Sequence, residues 1–124
     1  MRLLILWRRL RKLLGLRSCI TDIYGKPFPL SHAQGCVGKG WSPLVKEAYD
    51  LLLDGACITQ VKEKFGGLRF YYEDVVDHPE IDAIEERSFE VCEDCGSGGQ
   101  IHRLGGWMLT LCASCAETEG ATCD

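Results

Sequence analysis

The chain has 124 residues, 46% of them apolar, which is enough for one ordinary domain with a buried core. The net charge is −4, and because residues 1–17 carry +6 and no acid, the remainder carries −10. A basic head on so acidic a body excludes a protein that clamps a nucleic-acid backbone along its whole surface.

Residues 1–17 predict a basic amphipathic helix. The apolar residues that share one face at helical spacing are Leu3, Leu6, Trp7, Leu10, Leu13 and Leu14. The uninterrupted apolar run is too short for a signal peptide or a membrane span. We expect this face to be covered by the chain's own body or by a protein partner. Binding to an anionic membrane surface, as a peripheral membrane protein, is the alternative.

Residues 18–40 are rich in glycine and proline and predict an irregular connection. His32 and Cys36 lie four residues apart in it, and Cys19 or Cys57 could complete a second metal site with them. This spacing is not specific to metal binding, so we expect these residues to have no metal role.

Residues 41–91 predict a core that begins with a helix. Ser42 can cap this helix, Pro43 suits its first position, and Gly55 can end it in the left-handed conformation. The residues of its expected buried face are Leu44, Val45, Ala48, Tyr49, Leu51 and Leu52.

A β-hairpin is predicted next, over residues 57–73, with its turn at Gly66-Gly67. Basic and aromatic side chains alternate with apolar ones within residues 61–72. Aromatic rings can stack on bases, and basic side chains can bind phosphates. The candidate nucleic-acid contacts are Lys62, Lys64, Phe65, Arg69 and Tyr71. Because so acidic a chain repels phosphate, we expect the aromatic rings to belong to the core instead.

A second helix is predicted over residues 79–90, and it is strongly acidic. Ten acids and a single base, Arg87, lie between Glu73 and Asp94. Acidic runs of this kind are usually solvated helix faces.

Two C-x-x-C pairs, Cys92–Cys95 and Cys112–Cys115, are separated by sixteen residues. This spacing is typical of an all-thiolate tetrahedral zinc site. Four sulfurs at about 2.3 Å close the coordination shell, so the site is structural rather than catalytic. Thiols destined for Zn²⁺ must stay reduced, which favours a cytoplasmic location over a secreted disulfide framework.

Residues 92–119 therefore predict a four-cysteine zinc module. Gly96 follows the first pair and permits the tight turn of a zinc knuckle, a second hairpin follows over residues 100–111, and a short helix over 113–119 carries the second pair. This order is typical of the treble-clef class of zinc fingers, with a zinc ribbon as the alternative. With the core over 41–91, the predicted fold class is α+β.

Three segments together resemble a group of small, largely uncharacterised bacterial and phage or prophage proteins. They are GWxP at residues 40–43, VKEKFGGLRFY at 61–71 and CxxCG…GGWxxxLCxxC between 92 and 115. The resemblance covers about residues 40–116 and implies a cytoplasmic, mobile-element setting. It implies no catalytic residues.

The sequence favours a non-enzymatic, zinc-binding module that interacts with an unidentified protein partner, for example as a phage-encoded modulator of a host protein. It contains no recognisable nucleophile motif or phosphate loop, and only Glu63 and Glu73 suggest paired carboxylates. Two alternatives stay open. One is a nucleic-acid-binding zinc finger that uses the hairpin 61–72, and the other is a peripheral membrane protein that uses residues 1–17.

Overall fold

The computed structural model describes residues 1–15 and 19–123. This part of the chain is a mixed helix and sheet fold, so the predicted fold class is confirmed. Its helices are α1 (Arg2–Leu13), α2 (Leu30–Gly35), α3 (Ser42–Leu51), α4 (Pro79–Ser88) and α5 (Ala113–Glu119). Its strands are β1 (Cys57–Lys64), β2 (Gly67–Glu73), β3 (Gln100–Leu104) and β4 (Trp107–Leu111). Among these described residues, no helix is both long enough and apolar enough to cross a membrane.

β1 and β2 form one antiparallel hairpin, and β3 and β4 form another. Both lie where the sequence predicted them, but the turn of the first is shifted by one residue. Lys64 pairs with Gly67, so the two turn residues are Phe65 and Gly66 rather than the predicted Gly66-Gly67. Both turn residues have positive φ, 54° and 83°, which is the pattern of a type I′ turn.

The register of the first hairpin follows from what its inner face buries. Val61 lies opposite Phe70, and both are buried, as is Leu68 two pairs nearer the turn. The alternate pair, Lys62 opposite Arg69, projects from the outer face. Because side chains alternate along a strand, a slip of one residue would turn these cations into the core.

α3 contributes to the same hydrophobic core as the hairpin, and its buried residues are Leu44, Val45 and Ala48. Both ends of this helix differ from the prediction. Ser42 is the first helical residue and makes no capping hydrogen bond, because the helix continues directly from a 3-10 turn, Lys39–Trp41. The helix ends at Leu51, and Gly55 lies beyond it in the turn that leads into β1.

α4 lies along the free edge of β2 and ends at Ser88, slightly earlier than predicted. Two of its side chains accept hydrogen bonds from strand amides. The Leu68 N–H donates to Ser88 Oγ (2.8 Å), and the Phe70 N–H donates to Glu85 Oε2 (2.7 Å). This acidic helix therefore satisfies edge amides that would otherwise need water or another strand.

The predicted irregular connection over residues 18–40 is, in its described part (19–40), more ordered and more buried than its composition indicated. It contains α2, and Ile20, Phe28 and Ala33 belong to the main core. The Tyr49 hydroxyl donates a hydrogen bond to the Phe28 carbonyl (2.9 Å), which ties this segment to α3. Isolated apolar residues among glycines and prolines give no periodic signal, so the sequence pattern missed their burial.

α1 contacts the body through its basic face. Arg11 Nε lies 2.9 Å from Asp54 Oδ2, and Arg8 lies 3.8 Å from the fully buried carboxylate of Asp74. Lys12 Nζ donates to the carbonyl of Leu52 at 3.1 Å, and also to that of Asp50, at the end of α3. Cationic groups are favourable there because the last carbonyls of a helix have no intrahelical partner.

The apolar face of α1 is consequently turned away from the body. Its exposed side chains, between 47% and 84% accessible, are Leu3, Leu6, Trp7, Leu10, Leu13 and Leu14. Of the two expected ways to cover this face, packing on the chain's own body is wrong, because buried aspartates at the docking surface bind the basic face instead. Cover by a protein partner stays a prediction. Residues 16 and 17 of the predicted helix lie outside the described part of the chain.

Candidate metal centre

The four predicted ligands come from two turns that the fold brings together. Cys92 and Cys95 lie in a tight knuckle after α4, where the Gly96 N–H donates to the Cys92 carbonyl (2.8 Å). Gly96 has a φ of 83°, a conformation that glycine adopts without strain. Cys112 is the residue before α5, and Cys115 lies in the first turn of that helix. Knuckle, hairpin and helix thus follow in the predicted order.

The four sulfur atoms lie within 4.8 Å of one another, and all eight cysteines of the chain are free thiols. Cys95 Sγ and Cys112 Sγ are 3.6 Å apart, much longer than a disulfide bond. A tetrahedron with metal–sulfur distances of about 2.3 Å has sulfur–sulfur edges of about 3.8 Å. The cluster could therefore hold one metal ion and is compatible with a zinc-ribbon-like module. Treble-clef membership remains a prediction.

Hydrogen bonds already favour thiolates at two of the positions. The Cys115 N–H donates to Cys112 Sγ at 3.4 Å and is the main cause that lowers the pKa of Cys112 to about 6. The Ser97 hydroxyl, 3.0 Å from Cys95 Sγ, lowers the pKa of Cys95 in the same way. The pKa of Cys115 is instead raised, chiefly by its hydrogen bond with the Cys112 sulfur. Only a cation among the sulfurs would hold all four as thiolates.

The knuckle is seated on the residues that precede α3. The Gly40 N–H donates to the Glu93 carbonyl, and Trp41 Nε1 donates to the Val91 carbonyl, both at 2.8 Å. A Cβ at Gly40 would lie 2.1 Å from the Cys92 carbonyl oxygen, so only glycine fits there. Gly40 and the fully buried Trp41 thus position the metal centre, a role that the sequence pattern did not assign to them.

The second hairpin touches the turn of the first. Thr110 Oγ1 donates to the Gly66 carbonyl at 2.6 Å, and the Thr110 N–H donates to Glu93 Oε2 at 3.2 Å. The pKa of Glu93 is raised to about 7, chiefly by burial and in part by the nearby Glu63. The knuckle and β4 are therefore joined to the tip of the β1–β2 hairpin.

The candidate nucleic-acid contacts lie together on the outer face and turn of the first hairpin. Lys62 Nζ lies 5.7 Å from the centre of the Tyr71 ring, and Lys64 Nζ lies 5.7 Å from that of Phe65. Phe65 is 65% exposed and Tyr71 is 41% exposed. The expectation that these two rings belong to the core is wrong, because the observed register and turn direct them outward.

The other candidate residues are not brought together. Among the described residues, the four-cysteine cluster is the only group of three or more metal-binding side chains, and it includes none of His32, Cys36, Cys19 and Cys57. The His32 ring instead packs edge-on against Phe28. Glu63 lies opposite Leu68 and Glu73 opposite Cys57, so these two carboxylates are at different ends of the hairpin.

Comparisons with protein-family models, with curated proteins and with solved structures found no match for this chain.

Proposed function

We propose that the chain is a non-enzymatic interaction module whose four-cysteine cluster binds a structural Zn²⁺. The observation that carries this proposal is the set of four sulfur atoms within 4.8 Å of one another. Four thiolates in a tetrahedron suit zinc, and they leave no coordination position for a substrate or a catalytic water.

The metal has a structural task because the module around it has little core of its own. Its hydrophobic core consists of Cys92, Leu111 and Ala116, and three of the four ligand positions are at least partly accessible. In small modules of this kind, binding of zinc supplies much of the folding free energy. Zinc would thereby hold β3, β4 and α5 against the hairpin and the knuckle.

The partner we propose is a protein that receives the outer face of α1. Six large apolar side chains project from this face, and monomeric proteins rarely expose so large an apolar patch. Their spacing of three and four residues is that of an amphipathic helix which lies in a groove of its target. A host protein in the cytoplasm is the partner that the phage-related resemblance implies.

A membrane surface is the second candidate for the same face. Arg2 and Arg9 lie on the helical wheel beside the apolar arc, and both are exposed. Arginines in this position can bind anionic headgroups while the leucines enter the interface. The acidic body behind the helix opposes approach to an anionic surface, so we rank this candidate second.

The experiment compares the tagged full-length chain with the variant Leu6→Glu/Leu10→Glu, purified from the cells that encode it. This variant retains Arg8, Arg11 and Lys12, through which α1 contacts the body. We expect a stoichiometric protein in the wild-type eluate that is lost from the variant. Absence of any such protein, together with co-flotation on anionic vesicles that the same variant abolishes, would refute the protein partner and support the membrane.

A further inference from the structure

The tips of the two hairpins lie side by side and enclose an open cleft of about 330 Å³. The Thr110 hydroxyl of β4 donates to the Gly66 carbonyl, which holds the turn of the first hairpin against the second hairpin. The cleft is within the size range of small-ligand sites. Its lining residues are Glu63, Lys64, Phe65, Gly106, Trp107 and Met108.

Phe65 occupies its place on the cleft against its own conformational preference. Its φ of 54° lies in the left-handed region, which is strained for a bulky side chain. The first central position of a type I′ turn normally carries asparagine, aspartate or glycine. The ring gains little burial in return, since the residue is 65% exposed. Strain of this kind, at a residue that does not support the core, points to a functional role.

Trp107 presents a second ring on the other side of the cleft. It lies at the start of β4, where it pairs with Leu104, and it is 70% exposed. Two large aromatic residues from separate hairpins therefore line one opening without contributing to the core. Exposed rings of this kind are suited to stacking with a flat, unpaired ligand group.

Cations lie on the Phe65 side of the cleft, although the chain as a whole is acidic. Lys64 lies beside the Phe65 ring, and Lys62 and Arg69 form a cross-strand pair on the adjoining outer face. The acid that lines the cleft, Glu63, turns one carboxylate oxygen to the Gly66 N–H (2.7 Å).

The strongly acidic surface lies elsewhere on this hairpin. It surrounds the far end of β2, around Glu73 and Asp77, and the residues of α4 such as Asp82. Lys62, Lys64 and Arg69 therefore lie away from this acidic surface, and Glu63 is the acid that lines the cleft beside them. A phosphate chain that follows Lys62 and Lys64 would be repelled most strongly where it reached the end of β2.

We propose that this cleft binds a short stretch of single-stranded nucleic acid, with unpaired bases stacked on Phe65 and Trp107 and phosphates held by Lys62, Lys64 and Arg69. Bases in a duplex are already stacked on one another, so the rings select single strands. The acidic end of β2 limits the site to a few nucleotides. This proposal is independent of the partner of α1, and either can fail alone.

The test measures fluorescence anisotropy of labelled oligothymidylate, oligoadenylate and oligouridylate with the zinc-loaded full chain at low salt, and a DNA duplex serves as comparison. We expect binding of single strands that is weakened about ten-fold or more by Phe65→Asn and by Trp107→Ala, since stacking of a base on an aromatic ring is worth a factor of this order. Lys64→Gln should reduce the slope of log affinity against log salt by about 0.7, the value for one phosphate contact on a single strand.

Tyr24→Ala is the matched control, because Tyr24 is 81% exposed and lies outside both hairpins. It should leave the affinity unchanged. Asparagine is favoured at the first central position of a type I′ turn, so a loss of binding in Phe65→Asn cannot be ascribed to unfolding. Zinc content and thermal unfolding, measured for each variant, verify that it is folded.

Three results would overturn the proposal. The first is that folded protein binds no single strand, and the second is that it binds the duplex as tightly as a single strand. The third is that Phe65→Asn and Trp107→Ala bind single strands with the same affinity as Tyr24→Ala. A protein that the wild type captures and both ring variants lose, without any oligonucleotide binding, would make the cleft a protein-docking surface instead.

Discussion

Replacing Gly40 with alanine tests how the metal centre is joined to the core. The added Cβ would lie 2.1 Å from the Cys92 carbonyl oxygen and 2.6 Å from the Gly96 amide nitrogen. Both are backbone atoms of the knuckle, so no side-chain rotation relieves the contact. The knuckle would have to move by about 1.3 Å to restore ordinary van der Waals contact.

This displacement acts on two hydrogen bonds that anchor the knuckle. The Gly40 N–H donates to the Glu93 carbonyl and Trp41 Nε1 donates to the Val91 carbonyl, both at 2.8 Å. Overpacking costs about 1–3 kcal/mol, and each hydrogen bond lost contributes about 0.5–1.5 kcal/mol more. We therefore expect Gly40→Ala to lower the free energy of unfolding by about 2–6 kcal/mol, a large share of the ~5–15 kcal/mol typical of a domain.

The assay is chemical denaturation of the zinc-loaded protein, with release of zinc to a chromogenic chelator followed in parallel. Gly98→Ala is the control, since Gly98 belongs to the same module and a Cβ added there would meet nothing within 4 Å. That variant should stay within about 0.5 kcal/mol of the wild type. Equal unfolding midpoints and equal rates of zinc release for the two variants would refute the seating of the knuckle on Gly40.

Three further predictions concern the metal and the first hairpin. Elemental analysis should find about one zinc per chain in the wild type and none in Cys95→Ser, and chelation should abolish the dispersion of amide signals from residues 92–116. Unchanged spectra after confirmed zinc removal would contradict this. Zinc binding at neutral pH should release protons, because the raised pKa of Cys115 keeps that thiol protonated without metal. Calorimetry in buffers of different ionisation enthalpy measures the number of protons released. A value of zero would exclude the coupling of zinc binding to proton release. Phe65→Asn should raise the free energy of unfolding by up to about 1 kcal/mol. Relief of the left-handed backbone strain, about 1–2 kcal/mol, outweighs the loss of the small apolar area that the ring buries. A lower melting temperature of the variant would contradict this prediction.

Elements with a strong local signal were predictable from the sequence. The helix over 113–119 begins and ends as predicted, and both hairpins lie where alternation and glycine pairs placed them. The ligand spacing likewise identified four cysteines whose sulfur atoms the fold brings together. In each case the information lies within about twenty residues of chain, where turn chemistry and side-chain periodicity are sufficient.

Features that depend on distant contacts were not predictable. The seating of the knuckle joins Trp41 to Val91, fifty residues away, and nothing local marks Gly40 as its neighbour. The orientation of α1 likewise depends on Asp54 and Asp74, whose burial arises only in the fold. Periodicity correctly identified an amphipathic helix, but it does not indicate which face the rest of the chain will bind.

Another distant contact, between β4 and the turn of the first hairpin, would connect a metal ion in the cluster to the proposed binding cleft. The cluster fixes β4 through Cys112, and β4 in turn places Trp107 at its start and Thr110 against the turn that carries Phe65. Loss of zinc should therefore separate the two rings even if the first hairpin stays folded in the main core. Metal loading would then control binding at the cleft without contacting the ligand, and Lys62 and Lys64 alone would retain only weak, salt-sensitive attraction for phosphate.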